Sequence, residues 1–215
     1  MDQTAAGGRL RLALMLAGLL AVGLLPSLIG AVILADMGRG SLSEVTSAAD
    51  AARRGDYPWA ITGHIVGGAL MLTLGLVQFS PHVRRTLPVW HRWAGRVLVG
   101  FVGWLALSGL WMNLRHPNPR DSLAHDMAQT VAALLLLACM ALAIRAIRAG
   151  RVAVHRAWMA RTYAVSLGAG TQTLLLFPLF LTVGLPPAWL EDIVFVGAWL
   201  LNLALAEAWI RRRWV

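Results

Sequence analysis

Apolar residues run in six long blocks, separated by polar joints that hold most of the charge. The blocks are Leu12–Ala35, Trp59–Phe79, Trp93–Leu114, Ser122–Ile144, Trp158–Val183 and Ile193–Ile210. Each is long enough to cross a bilayer, which takes roughly 17 or more apolar residues in a helix. The pattern predicts an all-α integral membrane protein with six transmembrane helices, forming a single membrane domain over residues 1–215. Its expected core is a central four-helix bundle over 58–183, with flanking helices at 12–35 and 193–210. The one long joint, Asp36–Pro58, is polar, and its Ser43–Arg53 stretch predicts a short surface helix. The first block exceeds the roughly 7–15 apolar residues of a secretory signal, and no small-x-small cleavage site follows it. It reads as a retained helix.

Composition changes this picture only in detail. The chain is 58% apolar and 13% charged, with mean hydropathy +0.65; a soluble domain carries roughly a quarter charged residues. A net charge of +9 and a pI near 11.6 would suggest nucleic acid in a soluble protein. Here every basic residue is arginine, and the arginines cluster between apolar blocks, so they set topology and no nucleic acid is implied. With the N-terminus inside, the inner side collects 14 arginines: Arg9, Arg11, Arg84, Arg85, Arg92, Arg96, Arg145, Arg148, Arg151, Arg156, Arg161 and Arg211 to Arg213. The outer side keeps five: Arg39, Arg53, Arg54, Arg115 and Arg120. The bias predicts a multi-pass protein of the bacterial inner (plasma) membrane, surrounded by lipid, with both termini cytoplasmic. Single Cys139 excludes an internal disulfide. The sequence has no nucleotide-binding glycine loop, serine elbow or zinc spacing, so any flavin or nicotinamide domain lies on another chain.

Four histidines carry the candidate chemistry, each near the start of its own apolar segment: His64, His91, His125 and His155. Successive membrane helices run in opposite directions. The spacing therefore puts His64 with His125 toward the outer side, and His91 with His155 toward the inner side. Imidazoles paired on facing helices are what a six-coordinate haem requires. Small residues follow each histidine on its helix face, among them Gly68 and Gly75, Gly95 and Gly109, Ala128 and Ala132, and Ser166 and Gly170. Such faces allow close helix approach or leave room for a flat macrocycle. Arg92, Arg96, Arg156 and Arg161 stand near the inner pair, where the carboxylates of a haem would lie.

These observations predict a b-type dihaem cytochrome carrying electrons across the membrane. One or two haem b groups would be held at their iron by His64, His125, His91 and His155, with quinol or a redox partner protein as donor or acceptor. Two other readings use the same residues. In one, a haem-free transporter or lipid-acting accessory protein binds anionic headgroups or relays protons through its interfacial histidines and arginines. In the other, His64, His125 and Asp121 or Asp126 hold zinc or iron. His82 and His116 read as solvated loop residues. Gln78, Gln129, Gln172, Asn113 and Asn202 read as bridges between helices. Asp121 with Ser122 reads as a helix cap, Asp126 as an orienting group for His125 or, since adjacent helix residues point apart, equally as a partner of His64 or a backbone group, and Glu207 as a proton carrier or the partner of Arg211, four residues on.

The run His64-Ile-Val-Gly-Gly-Ala-Leu, Gly75-Leu-Val-Gln78-Phe79, Arg84-Arg85, His91-Arg92-Trp93-Ala94-Gly95-Arg96 and His155-Arg156-Ala157-Trp158-Met159-Ala160-Arg161 resembles an uncharacterised bacterial membrane family, DUF2306. The resemblance spans roughly Pro58 to Leu181 and leaves the first and last helices outside. The family usually has tyrosine where Leu98 stands, and often isoleucine where Ala160 stands; neither is a proposed ligand. It implies a membrane fold and no reaction. A looser likeness to the two-haem cytochrome b-561 group, in which the second helix pairs with the fourth and the third with the fifth, is architectural.

Overall fold

A computed structural model describes Gly18 and residues 22–35, 58–115 and 122–214. The surface helix expected over 43–53, together with His116 and Asp121, lies outside the described residues. The described chain is helical, with no strand. Five helices are long and apolar enough to cross a membrane, which makes this a multi-pass membrane protein. The first expected span is represented by a shorter apolar helix, α1 (Val22–Ala35). The others are α2 (Pro58–Gln78), α4 (Pro88–Arg115), α5 (Leu123–Arg148), α6 (Val152–Val183) and α7 (Ala188–Trp214), with a six-residue helix, α3 (Pro81–Thr86), between α2 and α4. At 1.5 Å per residue the 21 residues of α2 extend about 32 Å, close to the roughly 30 Å of hydrocarbon.

Local sequence sets these bounds. The α3 helix was not expected from the apolar pattern. Ser80 caps it through Val83 N–H, and Pro81 fills its first turn, where a missing N–H costs nothing. Leu87, which precedes Pro88, leaves the helical region, as a residue before proline tends to. Pro88 then opens α4 five residues before the block beginning at Trp93, so His91 already lies within the first turn. Ser122 caps α5 by accepting His125 N–H. Gly150 takes a φ of +70° in the tight α5–α6 joint, and Gly184 takes +80° after α6, conformations that suit a residue without Cβ.

The most extensive helix contacts are α2 with α4, α6 with α7 and α5 with α6, followed by α4 with α5 and then α2 with α6. The shared core holds Met71 and Leu72 from α2, Val102 and Leu105 from α4, Ala132 and Leu136 from α5, and Tyr163 and Leu167 from α6. Tyr163 donates its hydroxyl to the Leu72 carbonyl at 3.0 Å, joining α6 to α2. Asn113 donates to the Asp126 carbonyl and to Thr130, joining α4 to α5. Asn202 and Thr171 join α7 to α6. These side chains supply the interhelical bonds that lipid cannot offer.

Glycines set the separations. A Cβ on Gly67 would stand 2.6 Å from the Phe101 carbonyl oxygen on α4, and one on Gly170 2.5 Å from the Val22 carbonyl oxygen on α1. Gly100 has nothing within 4 Å. Gly67→Val should therefore cost about 1–3 kcal/mol through overpacking. Gly100→Ala should be neutral or gain up to about 1 kcal/mol from helix propensity. Thermal unfolding in detergent, followed by circular dichroism, should rank Gly100→Ala at or above the parent and Gly67→Val below it.

Candidate functional site

The N-termini of α4 and α6 meet the C-termini of α2 and α5 around a cavity of about 630 Å³. That is within the range of roughly 300–1,000 Å³ typical of small-molecule sites. Met71, Leu98, Val102, Met140 and Met159 form apolar walls. His91, His155, Gln78, Thr162, Arg84, Arg92, Arg96, Arg148 and Arg156 supply the polar lining, and among the described residues no aspartate or glutamate contributes to it. An apolar interior with a cationic lining fits an amphiphile whose charge is negative.

Arg84 lies on α3, outside the spans. It donates to the carbonyls of Gln78 and Phe79 at 3.3 and 2.8 Å, which finishes the C-terminus of α2. Burial, then the neighbouring Arg156 and Arg85, lower its pKa from the usual arginine value. The cations are therefore close enough to repel one another, and an anion would relieve them. Arg96 also stacks on Trp93, 5.0 Å from the ring centroid.

The cavity contains polar atoms left without partners. His155 Nδ1 lies 3.0 Å from the Ala143 carbonyl on α5. His91 Nδ1 is buried with no hydrogen bond, and so are both side-chain polar atoms of Gln78. A glutamine expected to bridge helices instead faces a cavity, where buried unpaired polar groups are costly unless a ligand or water meets them.

The other end holds His64 and His125. His64 Nδ1 lies 3.1 Å from the Leu105 carbonyl on α4, and its ring rests on Gly109, where a Cβ would stand 3.0 Å from His64 Cε1. His125 is buried; its Nδ1 lies 2.9 Å from Asp192 Oδ1 on α7, and its ring centroid is 4.1 Å from that of Phe195. A metal-bound histidine usually shows this pattern, one ring nitrogen donating to a carbonyl or carboxylate and the other left to the metal. Three of the four candidate histidines have Nδ1 so engaged.

Several expectations need correction. Arg161 does not line the cavity. It makes a bidentate pair with Glu207 on α7, at 2.5 and 3.0 Å, and its guanidinium lies 4.5 Å from the Trp158 ring centroid. Glu207 thus hydrogen-bonds Arg161 on another helix, and Arg211, four residues on, adds an electrostatic interaction. Asp126 does not orient His125: neighbouring helix residues point apart, and Asp126 Oδ1 is buried without a partner. His82 is exposed as expected, but on a short helix rather than a loop. Among the described residues no three histidine, cysteine or carboxylate groups converge on a metal position, so the zinc or iron reading gains nothing from Asp126, and its form with Asp121 lies outside the described residues. The sequence reading missed Asp192, Arg84, Arg148 and Gln78. Arg84 and Arg148 were visible as inner-side charges. Asp192 was visible only as a carboxylate expected on the outer side of the membrane, where His125 was also expected.

The five apolar helices define a multi-pass membrane protein. The chain matches the family described as predicted membrane protein, DUF2306, over residues 61–210, and it belongs to that family. The match runs beyond Leu181 and takes in most of α7, so the last helix is part of the family's unit. This agrees with α7 supplying partners to His125 and Arg161. No curated protein and no solved structure matches the chain.

The Arg161–Glu207 pair is part-buried, with side chains 23% and 36% exposed. Arg161→Gln should destabilise by about 1–2 kcal/mol, between exposed and fully buried ion pairs. The double change Arg161→Leu with Glu207→Leu should recover at least half of that loss. A double-mutant cycle read by unfolding in detergent measures this; additive losses would remove the pair as a structural tie.

Proposed function

We propose that this chain is a b-type dihaem cytochrome of the bacterial inner membrane. His64 and His125 would hold one haem b, and His91 and His155 a second. The observation that supports this best is the state of the imidazoles: Nδ1 of His64, His125 and His155 each meets a carbonyl or carboxylate on another helix. The neighbour order α2–α4–α5–α6 also supports a central four-helix bundle in which α2 would face α5, and α4 would face α6, across the diagonal. The histidine pairs then sit on diagonal helices, one pair at each end. The likeness to cytochromes b-561 rests on this pairing alone.

The residues fit the group. At the cavity end, apolar walls suit a macrocycle, and Arg84, Arg92, Arg96, Arg148 and Arg156 suit its carboxylates. Haem, when bound, supplies a one-electron couple. The chain's part is to hold the imidazoles neutral and fixed, pair the carboxylates, keep water from the apolar walls and set the potentials through charge and hydrogen bonding. With sites at opposite ends, electrons would cross the bilayer between quinol or a redox partner and an acceptor on the other side. The arginine bias makes the cavity end, and both termini, cytoplasmic.

A second reading is a haem-free transporter or lipid-acting protein that takes an anionic headgroup in the same cavity. The unpaired Gln78 amide and His91 Nδ1 favour a polar ligand there. Haem content separates the two. Protein purified from haem-sufficient cells should carry two haems per chain, and His64→Ala and His91→Ala should each retain one. A colourless protein, or variants with unchanged haem, would overturn the cytochrome reading and bring the headgroup reading forward.

A further inference from the structure

The headgroup reading leaves open what the neutral polar atoms of the cavity recognise. Both side-chain polar atoms of Gln78 and Nδ1 of His91 are buried without a hydrogen bond. Gln78 is the last residue of α2, and its backbone carbonyl already accepts from Arg84. Gly95 lies four residues after His91, on the same face of α4. A Cβ there would stand 3.8 Å from Gln78 Oε1. The glutamine amide therefore lies over the face of α4 that His91 begins, and Gly95 leaves room beside it.

These atoms lie between charge and hydrocarbon. Arg92, Arg96, Arg148 and Arg156 are exposed around the cavity, with the half-buried Arg84 beside them. In the other direction the wall runs into the bundle. From Gln78 to Met71 along α2 is about 10 Å, and from His91 to Val102 along α4 about 16 Å, at 1.5 Å per residue. Met71, Met140 and Met159 are flexible and polarizable, and such walls adapt to a chain without fixed shape.

Each part of a ligand follows from this lining. Five arginines exceed what one carboxylate balances, whereas a phosphomonoester carries a charge of roughly −1.5 to −2 and three acceptor oxygens. A volume of about 630 Å³ holds roughly twenty water-sized groups at about 30 Å³ each, enough for a small head with one alkyl chain and too little for two. An amide that donates and accepts, beside an imidazole nitrogen, suits a hydroxyl, which also does both.

We infer that the cavity takes a single-chain phosphomonoester amphiphile with a hydroxyl next to its phosphate, and that Gln78 and His91 recognise the hydroxyl. The arginines hold the phosphate at the membrane surface, and the chain lies among Met71, Val102 and Met140. The inference rests on the headgroup reading. It names the ligand class and makes Gln78 a specificity residue instead of a bridge between helices.

The test is isothermal titration of the delipidated full chain in mild detergent, together with its unfolding temperature. The probes are palmitoyl lysophosphatidate, its analogue without the glycerol hydroxyl, dipalmitoyl phosphatidate, palmitoyl lysophosphatidylcholine and inorganic phosphate. Lysophosphatidate should bind about tenfold or more tighter than each of the others. Gln78→Leu should reduce the preference over the analogue to about twofold or less, with the analogue bound as in the parent. Without ligand, that variant should unfold at a higher temperature than the parent, because two unpaired polar atoms leave a buried site. Loss of a bridge between helices would lower it instead. Arg156→Gln should weaken both single-chain phosphomonoesters alike, by about tenfold. The parent's ranking of the five probes decides the matter even where a variant fails to fold. Equal binding of lysophosphatidate and its analogue, or of one-chain and two-chain phosphatidates, would overturn the inference and leave the headgroup reading standing. Free phosphate or the zwitterionic lipid bound as tightly as lysophosphatidate would also overturn it. A protein that binds no acidic lipid, or one whose cavity holds haem, would overturn the reading beneath it.

Discussion

An imidazole placed among apolar helices needs an acceptor, because lipid offers none and an unpaired buried N–H is costly. In this chain the acceptors are on neighbouring helices, and the remaining architecture follows from reaching them. His64 meets the Leu105 carbonyl because Gly109 leaves room for its ring on α4. Leu105 O also accepts the Ser108 hydroxyl, which a carbonyl with two lone pairs can do. His155 reaches Ala143 across the tight α5–α6 joint, where Gly150 adopts positive φ. His125 finds its acceptor on α7 rather than on a bundle neighbour. Each contact fixes a ring through Nδ1, and for His64 and His155 this supports the proposal that Nε2 is the nitrogen offered to iron.

The two ends of the protein are chemically unlike. One has a cavity lined with arginines and no carboxylate, with unpaired polar atoms on Gln78 and His91. The other has a buried imidazole against a carboxylate, a hydroxyl and an aromatic ring. The ion pair of Arg161 with Glu207 lies apart from the cavity and ties α6 to α7. It removes one arginine from the candidate site and makes the last helix part of the working unit, in keeping with a family match that extends to residue 210.

Much of this was legible in the chain. Apolar blocks located the spans because the bilayer fixes their length. Opposite helix directions placed His91 and His155 at a common cavity, as expected. Helix starts were less legible: Pro88 and the Gly150 joint begin α4 and α6 several residues before the apolar runs do, so both histidines sit deeper in their helices than hydropathy indicates. Which arginine faces the cavity depends on about 100° of rotation per residue. Arg92, Arg96 and Arg156 turn toward it, and Arg161 turns toward α7. Asp192 was hidden because its partner lies 67 positions away, and the nearer carboxylate, Asp126, points elsewhere. The α3 helix was hidden because six polar residues between prolines carry no hydrophobic period.

We propose that imidazoles from facing helices would hold haem iron at each end. Low-temperature electron paramagnetic resonance of the oxidised, purified protein tests it most directly. Low-spin ferric signals of two distinguishable bis-imidazole centres should appear, with no high-spin component. A protein without a ferric haem signal, or one whose haem is high-spin, would contradict it.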